Sequence, residues 1–295
     1  MPDQFPDNTD LTQSLAALRA ELDRLDDAAH DLLMQRAEVV ERVAALGAKG
    51  RVALRPGREA EIIHRLLARH QGHLPRRVLP RIWRELFAAT TAMQGPYVIA
   101  VSDSPTSGEA HSGGHEALAR EHFGAATDLR IHSTPSQAMA DLSNGAAIAA
   151  VLPMPAEDDE PRHAWWTALM QKDKGRLHIV ARLPFWSPRA EGATPARALV
   201  VTTAAPDPSP HDHTLIGLEV PGDMSRARVS SLFAEAGLPA LGLLLRRDQR
   251  DTVAMVLADV DGFVAEDDPR LAALASPHSA VVLGAYAKPV GGEPA

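Results

Sequence analysis

An arginine stands where the surrounding pattern asks for an apolar residue. Leu15, Leu18, Leu22, Leu25, Ala29 and Leu32 recur at alternating spacings of three and four, and the same alternation next reaches Arg36. Such spacing marks the seam of a helix that packs against other helices. A guanidinium in a seam is costly to desolvate unless an anion meets it. Arg36 therefore either binds a small anion, or makes a structural ion pair or a register-setting polar contact.

Two further groupings could do chemistry with such an anion. Thr90 and Gln94 are four residues apart and share a helix face with Leu86 and Met93. They are either satisfied structural polar residues or donors lining a pocket, aimed at an ether or hydroxyl oxygen. Arg58 and Glu59 place a cation beside a carboxylate at the head of another helix. As a first-turn charge pair this favours Glu but not Arg. Together these residues describe a polar, cationic pocket inside a helical bundle.

The elements that must position them are legible in outline. Residues 11–46 form one long helix, with Asp10 or Ser14 as its cap and Gly47 and Gly50 as stops. A second helix runs from about Arg58 to Ala68, and a third, whose start is blurred by Pro80, ends near Met93. On that third helix Val78, Ile82, Leu86 and Met93 form the apolar side, and Gln94-Gly-Pro96 marks a boundary. Beyond it, strand-like 97–101, helix-like 116–123 and 136–142, and strand-like 146–152 and 196–203 alternate in the manner of an α/β domain. Residues 155–163 and 187–196 read as loops, and Pro-rich 204–213 as a linker. Residues 214–286 follow a strand–helix–strand–strand–helix–strand order, the ferredoxin-like pattern.

Composition narrows the function. The chain has 295 residues, enough for two or three domains, and a net charge of −8. That charge argues against a nucleic-acid partner. No apolar run approaches the roughly 18 residues that span a bilayer. The acidic, polar start is unlike a secretory leader, so a cytoplasmic protein is expected. The absence of cysteine excludes disulfides, thiol catalysis and thiolate metal sites. His111, His115, His122 and His132 are unevenly spaced and read as surface residues, so no metal is expected.

Four segments carry a resemblance. Leu18-Arg-Ala-Glu-Leu-Asp-Arg-Leu-Asp26, Leu32-Leu-Met-Gln-Arg-Ala37, Arg55-Pro-Gly-Arg-Glu-Ala60 and Ile82-Trp-Arg-Glu-Leu86 are similar to the all-helical chorismate mutases. They resemble above all the mutase domain of the bifunctional chorismate mutase–prephenate dehydratases. The resemblance implies an intertwined all-α homodimer that rearranges chorismate to prephenate without a cofactor. It assigns Arg36 and Arg58 to the substrate carboxylates, with Arg19 entering from the partner chain. It gives Glu59 the substrate hydroxyl, and Gln94, helped by Thr90, the ether oxygen. The family's lysine eleven residues after Arg36 is Gly47 here, and Lys49 is its nearest replacement. All these residues lie in 1–95, so that segment alone is expected to dimerise and to be active.

Residues 96–210 resemble a shortened, degenerate prephenate dehydratase-like α/β domain. The family's Thr-Arg-Phe reads Ala196-Arg-Ala198, without the hydroxyl, and its glycine-rich loop reads Ser102-Asp-Ser-Pro-Thr-Ser107. Residues 211–295 resemble an α+β, ferredoxin-like ACT domain whose effector motifs are replaced, at Met224-Ser-Arg-Ala227 and Leu245-Arg-Arg-Asp248. The expected function is that of a chorismate mutase. The alternatives are a bifunctional mutase–dehydratase and a non-catalytic module that senses chorismate or an aromatic acid.

Overall fold

A computed structural model describes residues 8–46, 54–103, 114–171, 176–187, 189, 191–247, 252–274 and 279–291. The chain divides into two units, Met1–Arg51 and Val52–Ala295.

Among the described residues the first unit is one helix, α1, Asn8–Leu46. Its seam leucines are in water: Leu15 is 52% exposed, Leu22 59% and Leu32 65%. A lone helix in water is marginally stable even with good propensity, so a stripe of this kind calls for a partner helix.

The second unit opens with α2 (Pro56–Ala68) and α3 (Val78–Ala92). Pro56 begins α2, where its missing N–H is harmless, and Pro80 is tolerated because it sits in the first turn of α3. The sheet follows: β1 (Val98–Ser102), α4 (Gly114–Phe123), β2 (Asp128–His132), α5 (Pro135–Ser143), β3 (Ala149–Pro153), a 3-10 turn (Trp165–Met170), β4 (His178–Leu183) and β5 (Ala198–Thr202). Then come β6 (Asp212–Pro221), α6 (Arg226–Glu235), β7 (Ala240–Arg247), β8 (Val253–Asp261), a second 3-10 turn (Pro269–Leu274) and β9 (Val281–Ala287).

The nine strands among the described residues make one mixed sheet, in the order β2-β1-β3-β5-β4-β9-β6-β8-β7. Alternate residues of the central strands feed opposite faces. Ala100, Leu152, Leu199 and Val201 pack with α5 and the Trp165–Met170 turn. Ile99, Val101, Val151 and Val200 pack with α4. The four last strands run antiparallel in the order β9-β6-β8-β7, with α6 over them, as the ferredoxin-like pattern requires. Its second helix is only a 3-10 turn. β2, β4 and the first 3-10 turn have no counterpart in the sequence reading.

The two halves of the sheet meet where β4 runs parallel to β9, with Ile179 opposite Gly284. Only glycine fits there. Gly284 has φ +147°, and a Cβ on it would lie 2.0 Å from the Ile179 carbonyl oxygen. Gly284→Ala must push β4 and β9 apart, and it is expected to cost about 3 kcal/mol or more. Chemical denaturation will check this; an unchanged midpoint would mean that the seam is not load-carrying.

Candidate functional site

On α1, Arg36 is half-buried while Leu32 and Val39, one turn to either side, are exposed. Arg19 is exposed on the same helix. Gly47 and Lys49 lie outside the described residues, so the replacement of the family lysine has no geometry here.

In the second unit α2 is fixed at its head. The Arg55 guanidinium forms a two-pronged pair with Asp207, Nη2 donating to Oδ1 at 2.8 Å. Gly57 lets the helix approach, because a Cβ there would sit 2.5 Å from the Asp207 carbonyl oxygen. Further along, His64 Nε2 bonds the Lys288 carbonyl at 3.1 Å. The adjacent residues Arg58 and Glu59, about 100° apart around the helix, are thereby sent to different environments. Arg58 is exposed and its Nη1 donates to Glu61 Oε2 at 2.6 Å. Glu59 is buried and accepts from Arg84 Nη1 at 2.7 Å.

The Glu59–Arg84 pair is nearly sealed, with side-chain exposures of 11% and 6%. Burial pulls the Arg84 guanidinium below its ordinary value, and the Glu59 charge opposes that pull. Arg84 also lies 4.9 Å from the centre of the Phe185 ring. Tyr97, close by, has its phenol pushed up, chiefly by burial and then by the Glu59 charge. Breaking such a pair from one side leaves an uncompensated buried charge. Glu59 is thus engaged as a fold residue in the single chain.

Thr90 and Gln94 are brought together as the spacing implied. Gln94 Nε2 donates to the Thr90 carbonyl at 3.0 Å, and Thr90 Oγ1 donates to the carbonyls of Leu86 at 2.7 Å and Phe87 at 3.3 Å. These are local bonds back to the preceding turn, of a kind that a better acceptor can replace. Arg58 and Gln94 are exposed and Thr90 is half-buried, and Ile82 of α3 and Met93 at its C-cap are 44% and 49% exposed.

The sequence reading gave Arg84 no role. It could have been found: Leu79, Trp83 and Phe87, four apart, mark a second apolar stripe on α3, and Leu79, Phe87 and Arg84 are buried there. The histidines need correction. His115 and His122 are buried rather than on the surface, and His132 bonds Asp141 at 2.9 Å. His111 lies outside the described residues, among which no group of side chains forms a metal site.

Comparison with known proteins adds the following. Three solved structures are similar to about two thirds of this chain. They are a protein described as GqqA, a novel type of quorum quenching acylase (21% identity, 65% of this chain and 96% of that one, TM-score 0.46); prephenate dehydratase from Streptococcus mutans (19%, 65% and 98%, 0.45); and prephenate dehydratase from Arthrobacter aurescens in complex with L-Phe (16%, 65% and 90%, 0.44). No curated protein matches. The family model for chorismate mutase type II matches residues 18–95, a span that holds Arg19, Arg36, Lys49, Arg58, Glu59, Thr90 and Gln94. Residues 18–95 are a chorismate mutase type II domain.

Proposed function

We propose that the protein is a cytoplasmic chorismate mutase of aromatic amino acid biosynthesis that works as a homodimer through α1. The observation that carries the reading is the family match, because its span contains every residue that the chemistry needs. The rearrangement uses no nucleophile, metal or proton transfer. It requires the dianionic substrate to be held in a compact conformation, and donors placed where charge develops on the ether oxygen. Arg36 and Arg58 serve the carboxylates, with Arg19 from the partner chain. Gln94 and Thr90 serve the ether oxygen, giving up their bonds to the preceding turn. Glu59 serves the substrate hydroxyl through whichever acceptor capacity Arg84 leaves. Lys49 stands in for the lysine absent at position 47.

The dimer is supported by α1 itself. Its exposed seam leucines are the surface that a second copy would cover, and α3 and its C-cap expose further apolar residues, Ile82 and Met93. No helix among the described residues is long and apolar enough to cross a membrane. We read 1–95 as the mutase segment, 96–210 as a degenerate dehydratase-like region and 211–295 as ACT-like. In the middle region Ala196, the residue that the resemblance aligns with the dehydratase threonine, is buried and carries no hydroxyl.

One assay separates the three readings. Purified full-length protein is expected to consume chorismate and accumulate prephenate in proportion to enzyme, with no phenylpyruvate formed from added prephenate. Phenylpyruvate produced in proportion to enzyme would establish the bifunctional alternative. Chorismate that binds and is not consumed would leave the sensing module.

A further inference from the structure

A cleft, open to solvent on one side, lies between α3 and the segment after β4. Arg77, Arg81 and Arg84 line it from α3 and its cap, Arg189 lines it from across, and Phe185 and Trp186 supply flat apolar walls. Apart from Arg84, which holds Glu59, none of these six residues has a part in the mutase reading.

The charges do not balance. The lining holds four guanidiniums and one carboxylate, Glu121, which takes Arg189 at 3.1 Å. Arg84 is already matched by Glu59. His122, also in the lining, is kept neutral at physiological pH by burial and by the nearby Arg84 charge, so it neither adds to the surplus nor cancels it. Arg77 and Arg81 form no ion pair among the described residues and are exposed at the mouth. Beneath them the lining turns apolar, with Leu118, Leu183 and Pro184 beside the two aromatic rings. A cation surplus over an aromatic floor selects a ligand with two parts.

We propose that this cleft binds a small organic acid with a flat ring, its carboxylate on Arg77 and Arg81 and its ring against Phe185 and Trp186. The carboxylate suits two forked donors, which it can meet two oxygens at a time. The ring gains from the aromatic walls what a bare anion cannot. A cation carrying the same ring would face uncompensated repulsion from Arg77 and Arg81.

Titration calorimetry on the full chain tests this with phenylacetate, inorganic phosphate and benzylamine. Phenylacetate is expected to bind saturably, one per chain, and at least about tenfold more tightly than either comparison compound. Arg77→Ala/Arg81→Ala should weaken phenylacetate by about tenfold or more, the scale of hydrogen bonds to a charged group. Arg77→Lys/Arg81→Lys, which keeps the charge, should recover part of that loss. Both positions are exposed, so the melting temperature should not move. Trp186, in the wall, provides an independent reading as a change of its fluorescence that Trp186→Phe removes. The proposal is overturned by no saturable phenylacetate binding at millimolar concentration, by equal affinity in the double alanine variant, or by phosphate binding as tightly as phenylacetate.

Discussion

Arg36→Ala is expected to lower the rate of chorismate rearrangement by some hundreds- to thousands-fold while leaving α1 helical. The size follows from removing one member of a desolvated ion pair, about 3–5 kcal/mol, converted to a rate. Arg36 stands at a seam position of α1 and is half-buried, whereas the leucines at the preceding seam positions are exposed. A residue whose only task was to interrupt the seam would behave differently. Removing a register-setting polar residue from an apolar stripe commonly raises stability and relaxes specificity. A substrate-binding arginine instead loses turnover and leaves the melting curve where it was. Arg24→Ala, at an exposed position of the same helix, is the control and should change neither. Circular dichroism melts beside initial rates separate the outcomes: an Arg36→Ala protein that melts early, with turnover lost in step, would make Arg36 a fold residue.

What the sequence disclosed was what depends on local period. The alternating leucines announced α1, which runs Asn8–Leu46 against an expected 11–46. Apolar runs such as Val98-Ile-Ala-Val101 announced central strands, because strands covered on both faces read as continuous apolar stretches. β2 escaped because it is an edge strand, and Asp128-Leu-Arg-Ile-His132 keeps most of its side chains in water. β4 escaped because Ile179-Val-Ala181 is too short an apolar run to be told from a helix or loop. The joining of the sheet across Gly284 was not legible, since a close approach between β4 and β9 leaves no trace in the pattern around either strand. The candidate site divides in the same way. Thr90 and Gln94 were legible as i and i+4 neighbours. The engagement of Glu59 with Arg84 was not, because α3 carries two apolar stripes and the one facing the sheet passed unread.

That second stripe reverses the expectation for a truncated protein. Cut after residue 95, the chain is expected to lose mutase activity and cooperative unfolding, although every residue assigned to the reaction is still present. In the full chain Ile63 and Leu67 of α2 and Leu79 and Phe87 of α3 are buried in one cluster with Phe185 and Ala287. Fully burying side chains of this size is worth about 1.5–3 kcal/mol each, so the four together approach the whole stability of a small domain. Part of that survives in the fragment, because α2 and α3 still cover one another. The cut also removes Asp207 from Arg55 and the Lys288 carbonyl from His64, the two polar contacts that hold α2 in place. It uncovers the Glu59–Arg84 pair, which then lies in water, where such a pair contributes little. Dimerisation through α1 does not restore these contacts, because none of them involves α1. Size-exclusion chromatography and thermal melts of residues 1–95, measured beside the intact chain, decide the matter. A fragment that melts cooperatively as a dimer and turns over chorismate at the full-length rate would show that the sheet is dispensable to the mutase helices.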